Sequence, residues 1–406
     1  MGESASASVS VSAGCPCEQY NYSRPRFHSH SMSPLSELIR DHIRLQGPVS
    51  FDWFMEQALY HPEFGYYCSA RKRIGRAGDY YTNVSVGKAY GEILAGQLHE
   101  MWEILGRPKP FSIVEQGAED GQLAADILET LRTRYDKLFQ SAFYRIVEPI
   151  AQKREEQRAH LEPFAKVSWV DDLSKLEPTV GTFFSNELLD AFPVHLVEYV
   201  EDEWHELLVQ NADSGFEFLQ SRDLGPELKH ALRGIQVPAP YRTEVNLAAR
   251  EWIQAVAENL SRGFLLIIDY GYPRAEYYSP ERSEGTLTCY SVHRKSYDPL
   301  ARPGEIDITA HVDFTAVAEA ARTAGLQVAG FTDQHHFMVG AAESRLLDLE
   351  RQMAVSAQFP SQANFIRSYR TLMHPGNLGL TFKFLLLARN AEGRPSGFRY
   401  AREAAL

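Results

Sequence analysis

A glycine-containing loop between an apolar run and a helical pattern is the segment of this sequence with the clearest chemical meaning. The run from Ser112 to Val114 is typical of a buried strand; Glu115 ends it, and Gly117 and Gly121 follow before apolar residues recur at helical spacing. Glycines at a strand-to-helix turn let a ligand approach the backbone closely, and amides at a helix start favour negative charge. The loop therefore predicts the entrance to a nucleotide-like cofactor site, with an ordinary turn as the alternative.

Acidic residues follow the next two apolar runs. Glu148 ends YRIVE, and Asp171 and Asp172 end KVSWVDD. A carboxylate at the first position can accept both hydroxyl protons of a ribose, and one at the second can accept from an adenine amino group. Each acid taken alone also fits a salt bridge or a helix cap. Their order after the glycine turn favours the cofactor interpretation.

The segment NELLDAFPVH, residues 186 to 195, places an amide and two carboxylates after another apolar run. If the strand ends near Ser185, Asn186 and Glu187 lie at the mouth of the cofactor crevice and Asp190 lies about one turn beyond. An amide and a carboxylate together can orient a nitrogen nucleophile and accept its proton. The alternative is that Asn186 caps a helix whose first turn carries the two acids.

Two further segments are candidates for ligand contact. In GRAGDYYTNVSVGKAYGE, residues 75 to 92, glycines punctuate aromatic and hydroxyl residues, so this loop could fold over a ligand carboxylate; an ordinary turn is the alternative. In DITAHVDF, His311 is the most notable histidine, but a lone histidine is more often structural than catalytic. Asp313 is expected to cap the following helix.

Strand-like and helix-like runs alternate through most of the chain. Helical patterns at 88–105, 151–161, 247–260 and 314–324 separate apolar runs that end near the polar residues described above. This alternation predicts an α/β fold with a doubly wound parallel sheet, in which ligands bind at the carboxyl ends of the strands. LQVAGFT and LTFKFLLLA are expected to pair as a closing hairpin.

The predicted sheet is interrupted and flanked by other regions. The pattern of residues 194–246 predicts a meander of strands, which we interpret as a lid or a substrate platform. Residues 273–310 are expected to form a long loop. The expected boundaries are a disordered tail at 1–31, an N-terminal helical region at 32–110, a core at 111–193 and 247–392, the β-rich insertion at 194–246, and a C-terminal tail at 393–406.

Composition excludes several classes of protein. The 406 residues carry a net charge of -12, which argues against broad binding of nucleic acid or anionic membranes. No apolar run approaches the roughly 20 residues that span a bilayer. Four scattered cysteines fit neither a disulfide framework nor a four-ligand zinc site, so we expect a reducing compartment and place the protein in the cytoplasm.

Taken together, the segments resemble the MidA-like family of S-adenosylmethionine-dependent methyltransferases, which includes the mitochondrial complex I assembly factor with protein-arginine methyltransferase activity. The order of the motifs carries this resemblance more than any one of them, and they span nearly all the chain after residue 33. The matching stretches are LYHPEFGYY at 59–67, GDYYTNVSVGKAYGE at 78–92, VEQGAEDG at 114–121, VEP at 147–149, NELLDAFPVH at 186–195, IDYGY at 268–272 and DITAHVDF at 307–314.

The resemblance implies a class I methyltransferase sheet of Rossmann-like form, S-adenosyl-L-methionine as cofactor, and methyl transfer to a protein nitrogen, arginine by analogy. It implies a protein substrate such as a respiratory complex subunit, leaves room for a homodimer, and makes a mitochondrial location the alternative if the chain is eukaryotic. Asn186, Glu187 and Asp190 would face the acceptor, with Glu187 and Asp190 aligning the arginine and drawing off a proton. The implied cofactor residues are Gly78, Asp79, Thr82, Glu115, Gly117, Gly121, Glu148, Asp171 and Asp172.

The chain departs from the family pattern at three positions. Glu119 stands where the family usually has a further glycine, and Val84 and Ser85 stand where it typically has Pro-Glu. These differences keep open a second hypothesis, a binding or assembly factor that retains the fold without catalysis. A nicotinamide dehydrogenase is disfavoured because Gly117 and Gly121 do not follow the spacing of a dinucleotide fold.

Overall fold

A computed structural model of the chain describes residues 33–68, 83–291, 294–355, 360–401 and 406. The tail expected at 1–31 and the predicted contact residues Gly78, Asp79 and Thr82 lie outside the described residues. None of the helices in the described ranges is both long enough and apolar enough to cross a bilayer.

The strands alternate with helices as the sequence patterns predict. The strands are β1 (Phe111–Gln116), β2 (Ala142–Val147), β3 (Val167–Val170), β4 (Thr179–Asn186), β5 (His195–Val200), β6 (Glu203–Ala212), β7 (Gly215–Ser221), β8 (Tyr241–Val245), β9 (Leu260–Tyr272), β10 (Thr288–Ser291), β11 (Arg294–Ser296), β12 (Asp307–Thr309), β13 (Val312–Asp313), β14 (Gln327–Asp333) and β15 (Phe382–Arg389). The helices are α1 (Pro34–Gln46), α2 (Phe51–Tyr60), α3 (Ala89–Ile104), α4 (Gln122–Arg134), α5 (Asp136–Ser141), α6 (Ala151–Leu161), α7 (Pro226–Ala231), α8 (Ala248–Asn259), α9 (Arg274–Tyr277), α10 (Phe314–Thr323), α11 (Gln334–Ala341), α12 (Glu343–Val355) and α13 (Pro360–Met373).

The main sheet contains eight strands in the described part of the chain, in the order β14-β15-β9-β4-β1-β2-β3, with β13 paired to β9. β3, β2, β1, β4 and β9 run parallel, and β15 runs antiparallel to its neighbours β9 and β14. The strand order reverses between β1 and β4, and ligands bind at such a switch point in doubly wound sheets. The predicted α/β doubly wound sheet is therefore confirmed.

Both faces of this sheet are covered, which explains why its central strands are continuous apolar runs. One core packs α3, α4, α11 and α13 against the sheet, and the other packs α8 and α10. Five consecutive residues of β9, from Phe264 to Ile268, are each at most 2% exposed. This burial on both faces holds the strand ends, and the polar residues that follow them, in fixed positions.

A second sheet is antiparallel, in the order β7-β6-β5-β8. It shares a core with α1 and α2, so the N-terminal helices and the insertion pack on each other. His195 on β5 lies between Asp52 of α2 and Glu206 of β6, with its Nδ1 atom 3.4 Å and 2.8 Å from their carboxylate oxygens. Glu206 and Asp52 raise the His195 pKa although burial alone would lower it. This charged contact ties the insertion to α2.

Local capping explains where several helices begin. Ser33 accepts a hydrogen bond from the Ser36 amide ahead of α1, whose first residue is Pro34. Asp313 accepts bonds of 3.0 Å from the amides of Thr315 and Ala316 at the start of α10. The predicted cap at Asp313 is therefore confirmed.

The end of the chain differs from the expectation. β14 and β15 pair antiparallel, but α11, α12 and α13 lie between them, so they are not a hairpin. The sequence pattern missed these helices because their apolar residues are interspersed with many polar ones. Phe398, in the stretch expected as a tail, is buried against Phe337 with ring centroids 5.5 Å apart, so this part of the chain belongs to the core.

Candidate functional site

A cavity of about 1010 Å³ lies at the carboxyl ends of β1, β2, β3 and β4. Its walls combine residues from the glycine loop, α2, α6 and α8, and this volume is at the upper end of the range for small-molecule sites. The candidate residues that line it are Glu115, Gly117, Glu148, Asp171, Asp172, Asn186 and Glu187. The fold thus brings together side chains spread over about seventy residues of sequence.

The glycine loop has the geometry that its sequence predicts. Gly117 and Gly121 have positive φ values of 82° and 86°, which L-residues rarely adopt, and Gly121 is the N-cap of α4. A Cβ atom on Gly117 would lie 3.3 Å from Leu188 Cδ1, so a side chain there would require Leu188 to shift by a few tenths of an ångström. Glu119 also has a positive φ, 47°, which strains the backbone at a residue with a side chain. A glycine at this position would avoid that strain.

Glu115 ends β1 with its carboxylate enclosed. Its Oε2 atom accepts a hydrogen bond of 2.6 Å from the Tyr144 hydroxyl of β2. Burial raises the Glu115 pKa to about 7, against the hydrogen bond, which lowers it. A carboxyl group with this pKa can accept a ligand hydrogen bond in either protonation state.

Glu148 presents a held carboxylate directly after β2. Its Oε1 atom accepts from the Ile150 amide at 2.9 Å, and its Oε2 atom accepts from Gln157 Nε2 at 3.2 Å. Gln157 is itself fixed because its Oε1 atom accepts from Trp169 Nε1 at 2.9 Å. Each Glu148 oxygen keeps a lone pair toward the cavity, as binding a pair of ribose hydroxyls requires.

Asp171 and Asp172 line the cavity. Each also makes a contact that the alternative interpretation predicts, a salt bridge for Asp171 and a helix cap for Asp172. Lys175 lies 2.6 Å from Asp171 Oδ1, and this ion pair lowers the Asp171 pKa. Asp172 caps the short helical turn Leu173–Lys175 by accepting from the Ser174 amide at 2.8 Å. Both acids are thus held in place by neighbouring groups in the wall of the cavity.

Asn186 and Glu187 form a joined amide and carboxylate pair at the end of β4. Asn186 Oδ1 accepts from the Tyr90 hydroxyl at 2.5 Å, and Asn186 Nδ2 donates to Glu187 Oε1 at 3.0 Å. Asn186 is therefore not a helix cap, so that alternative is wrong. Glu187 has a φ of 54°, and burial together with the nearby Asp269 charge raises its pKa to about 8.

Asp190 occupies a different environment from Glu187. It lies in the turn Leu189–Ala191, is 7% exposed, and is not among the described residues that line the cavity. Burial and then the charges of Asp269, Glu187 and Asp307 raise its pKa well above the usual range. Asp190 can therefore influence an acceptor site only indirectly, through the interaction of its carboxyl group with Glu187 and Asp269.

Asp269 is a residue that the sequence interpretation did not place in the site. It is fully buried at the end of β9, and its Oδ2 atom accepts from the amides of Leu188 and Leu189 at 3.1 Å and 2.8 Å. These bonds hold the backbone that follows Glu187. The sequence did contain a signal for Asp269, because this residue is one more acid that follows an apolar run near the end of a strand. Tyr90 gave no such signal because its helical spacing predicts only core packing.

His311 lies away from the cavity. Its ring packs beside Tyr270 and Tyr272, with centroids 6.3 Å and 5.3 Å away. Burial lowers the His311 pKa to about 4, and neighbouring cationic side chains act in the same direction. These contacts favour the structural interpretation of this histidine.

The residues present fit a cofactor that has a ribose and an amino acid end. The cavity has a glycine turn that a side chain would fill, a held carboxylate with open lone pairs, and aromatic and apolar walls from Trp252, Leu173 and Ile150. In addition, Glu187 lies beside this space with a pKa in the range suited to proton transfer near neutral pH.

Comparison with known proteins bears directly on this site. A family model described as an S-adenosyl-L-methionine-dependent methyltransferase matches residues 93–332. A crystal structure from Burkholderia thailandensis, bound to S-adenosyl-homocysteine, superposes with a TM-score of 0.82 at 31% identity, covering 92% of this chain and 96% of that one. A native crystal structure from the same organism gives a TM-score of 0.80 at 30% identity, covering 92% and 96%.

Named relatives cover most of the same length. The chain is 29% identical to the mitochondrial protein arginine methyltransferase NDUFAF7 homolog of Drosophila melanogaster over 388 residues, 87% of this chain and 84% of that protein. It is 24% identical to the mitochondrial protein arginine methyltransferase NDUFAF7 of Homo sapiens over 415 residues, 92% and 87% of the two. The expected MidA-like resemblance and the expected cofactor are therefore confirmed, and this chain belongs to the family of S-adenosyl-L-methionine-dependent methyltransferases.

Proposed function

We propose that this methyltransferase modifies an arginine side chain of a protein, with Asn186 and Glu187 at the acceptor site. The observation that carries the proposal is the joined amide and carboxylate pair at the cavity, with the Glu187 pKa near 8. Arginine nitrogen is a poor nucleophile while protonated, so a carboxylate must align the guanidinium and take up a proton. The names of the relatives, protein arginine methyltransferases, support this choice of acceptor.

The charge of the cavity also supports a cationic acceptor. Among its described lining residues, ten are acidic and Lys153 alone is basic; the acids are Glu56, Glu115, Glu119, Asp120, Glu148, Asp171, Asp172, Glu187, Glu251 and Glu258. A cavity with walls of one sign concentrates ligands of the opposite sign. Glu56, Glu251 and Glu258 are exposed and would meet a basic protein segment first.

In the proposed cofactor site, Gly117 and Gly121 face the methionine end, Glu148 binds the ribose, and Asp171 or Asp172 receives the adenine amino group. Glu115 closes the floor beneath the glycine loop. The predicted roles of Gly78, Asp79 and Thr82 in closing the site remain part of this proposal.

In the proposed mechanism the protein positions the acceptor and controls one proton. When bound, S-adenosylmethionine would supply an electrophilic methyl group on a cationic sulfur. The acceptor nitrogen would bond to this methyl group as its bond to sulfur breaks, and S-adenosylhomocysteine would be released. Tyr90 holds Asn186, Asn186 holds Glu187, and Glu187 accepts the proton of the guanidinium. Asp190 and Asp269 are buried acids whose charges interact with Glu187, and burial raises the pKa of both. A cationic acceptor favours the ionised forms of these carboxyl groups, so the cluster would select a cationic acceptor over a neutral one.

We further propose a mitochondrial location and a substrate among the subunits of a respiratory complex, with a homodimer as one arrangement of the enzyme. Two relatives are named as mitochondrial proteins, which favours this location over the cytoplasm. The complex I assembly factor in the family that the sequence resembles is the reason for choosing a respiratory subunit.

The test is transfer of labelled methyl groups to proteins of a mitochondrial extract, followed by mass spectrometry of the modified residues. Labelled arginine is the expected product with the parent enzyme. Glu187→Gln should lower the rate by about 10² to 10⁴-fold, because proton transfer is lost while shape is kept. Asp190→Asn should lower it as well, and both variants should bind S-adenosylhomocysteine as the parent does.

Glu350→Gln is the matched control, since it removes an exposed carboxylate on α12 that is not among the described residues lining the cavity, and it should leave the rate unchanged. Label on lysine or on lipid would contradict arginine as the acceptor. Full activity in Glu187→Gln would contradict its proposed role. Binding of S-adenosylhomocysteine with no methyl transfer to any protein would support the hypothesis of a binding factor without catalysis.

A further inference from the structure

Glu119, which replaces a glycine of the family pattern, has a partner that the sequence does not reveal. Its Oε2 atom is in close contact with Lys153 Nζ of α6, thirty-four residues later. Both side chains line the cavity, and the Lys153 side chain is only 11% exposed. The pair therefore crosses the wall of the proposed cofactor site between the glycine loop and α6.

Lys153 also acts on Glu148. Burial raises the Glu148 pKa, and the Lys153 charge is the largest influence that lowers it, whereas the Glu119 charge raises it. The Ile150 amide and Gln157 donate hydrogen bonds to the Glu148 carboxylate, and the Glu148 charge is one of the influences that raise the pKa of the buried Tyr60 hydroxyl on α2. Gln157 joins the two acids, since its Nε2 atom also donates to the Glu119 carbonyl at 2.9 Å.

We propose that Lys153 is a positioning residue of the cofactor site, which neutralises Glu119 and keeps the Glu148 carboxylate ready to accept the ribose hydroxyls. The inference rests on the proposed function, because it takes Glu148 as the ribose ligand. Its consequence is that Glu119 and Lys153 depend on each other. A carboxylate at position 119 is compatible with binding only while Lys153 is present, and Lys153 matters most while Glu119 is charged.

The experiment is a double-mutant cycle measured by calorimetry with S-adenosylhomocysteine on the full chain. Lys153→Met should weaken binding about tenfold or more, because it leaves two neighbouring carboxylates without their cation. Glu119→Gln should change affinity by less than about threefold, and the double variant should regain most of the loss. Lys153→Arg keeps the charge and should bind within about threefold of the parent.

The pH dependence adds a readout that simple damage to the fold would not produce. Without Lys153 the Glu148 pKa rises further, so affinity in Lys153→Met should fall more steeply than in the parent when the pH is lowered from 8 to a more acidic value. Lys166→Met is the matched control, since this lysine bonds to the Gln140 carbonyl at 2.6 Å and does not line the cavity. It should leave affinity unchanged at both pH values.

Several outcomes would overturn the inference. They are parent-like affinity in a folded Lys153→Met, a loss that persists undiminished in the double variant, and equal loss in Lys153→Arg. If Lys153→Met fails to fold, Lys153→Gln and Lys153→Gln/Glu119→Gln replace it, because they also remove the cation; an equal loss of affinity in these two variants would overturn the inference. A parent that does not bind S-adenosylhomocysteine would instead remove the proposed cofactor site, and this inference with it.

Discussion

At the scale of single residues, the acceptor site is a chain of hydrogen bonds that begins in the core. Tyr90 is fully buried on α3, and its hydroxyl orients the Asn186 amide, which in turn bonds to Glu187. An amide that is not held can flip and present its oxygen to a carboxylate, which repels it. The orientation of Glu187 therefore depends on a tyrosine whose position in the sequence predicts only packing.

Tyr90→Phe tests this dependence. The substitution keeps the ring but removes the donor to Asn186, so we expect kcat to fall about tenfold, roughly the 1.4 kcal/mol that one hydrogen bond contributes. The affinity for S-adenosylhomocysteine should stay the same because Tyr90 does not line the cavity. Steady-state kinetics and calorimetry on the same preparations measure both quantities.

Tyr369→Phe provides the matched control, because Tyr369 is another buried tyrosine, on α13, and lies away from Asn186. It should leave kcat unchanged. An equal fall of kcat in both variants would mean that the loss reflects general damage to the core rather than the orientation of Asn186.

At the scale of elements, the junction of β1 and α4 carries the cofactor site. β1 is buried and α4 packs on the same core, so the loop between them has little freedom to adjust. The loop crosses from strand to helix with positive φ at Gly117, Glu119 and Gly121. Its backbone is therefore shaped by the packing of the two elements that it joins.

Gly117→Ala and Gly106→Ala separate backbone strain from occupation of the site. The two glycines have nearly the same φ, 82° and 80°, but a Cβ atom meets Leu188 at position 117 and nothing within 4 Å at position 106. Both substitutions should cost about 1 kcal/mol in stability from strain. Only Gly117→Ala should weaken binding of S-adenosylhomocysteine, by about tenfold or more, because its methyl group is placed at the wall of the cavity.

Thermal unfolding and calorimetry measure the two effects independently. Equal affinity in both variants would show that Gly117 serves the turn alone. A loss of affinity in Gly106→Ala would show that strain elsewhere in the core is transmitted to the site.

At the scale of the whole molecule, the buried acids of the candidate site make the fold less stable as the pH rises. The folded-state pKa values of Glu115 and Glu187 are about 7 and about 8, far above the value near 4.3 of an exposed glutamate. A group with a raised folded-state pKa contributes stability that is present below its unfolded pKa and is lost as the pH rises through the folded pKa. Keeping these acids buried therefore opposes folding above neutral pH.

We accordingly expect the free energy of unfolding of the ligand-free protein to fall between pH 6.5 and pH 9. Glu187→Gln should raise the melting temperature relative to the parent by more at pH 9 than at pH 6.5, because the stability that the protonated carboxyl group contributes is lost progressively between its unfolded pKa near 4.3 and its folded pKa of about 8. Glu258→Gln, an exposed position, should show no such difference. A gain from Glu187→Gln that is the same at both pH values would contradict the raised pKa.

The sequence by itself determined the class of fold, the order of the central strands and helices along the chain, and seven of the residues that line the cavity. It could do so because strand and helix periodicity, glycine turns and acids at strand ends are local patterns, and parallel strands bring those ends to one edge. The MidA-like resemblance named the cofactor on the same motifs. In contrast, helices such as α12 and α13 were missed because their local pattern is weakly apolar.

Only the tertiary structure decided which side chains act together. Asn186 accepts a hydrogen bond from Tyr90, ninety-six residues earlier, instead of capping a helix. Glu119 forms an ion pair with Lys153 on α6. Asp190 lies in a buried turn outside the described lining of the cavity, and Asp269 holds the backbone before it through the amides of Leu188 and Leu189. These contacts join residues far apart in the chain, and burial changes their charge, so neither spacing nor composition could reveal them.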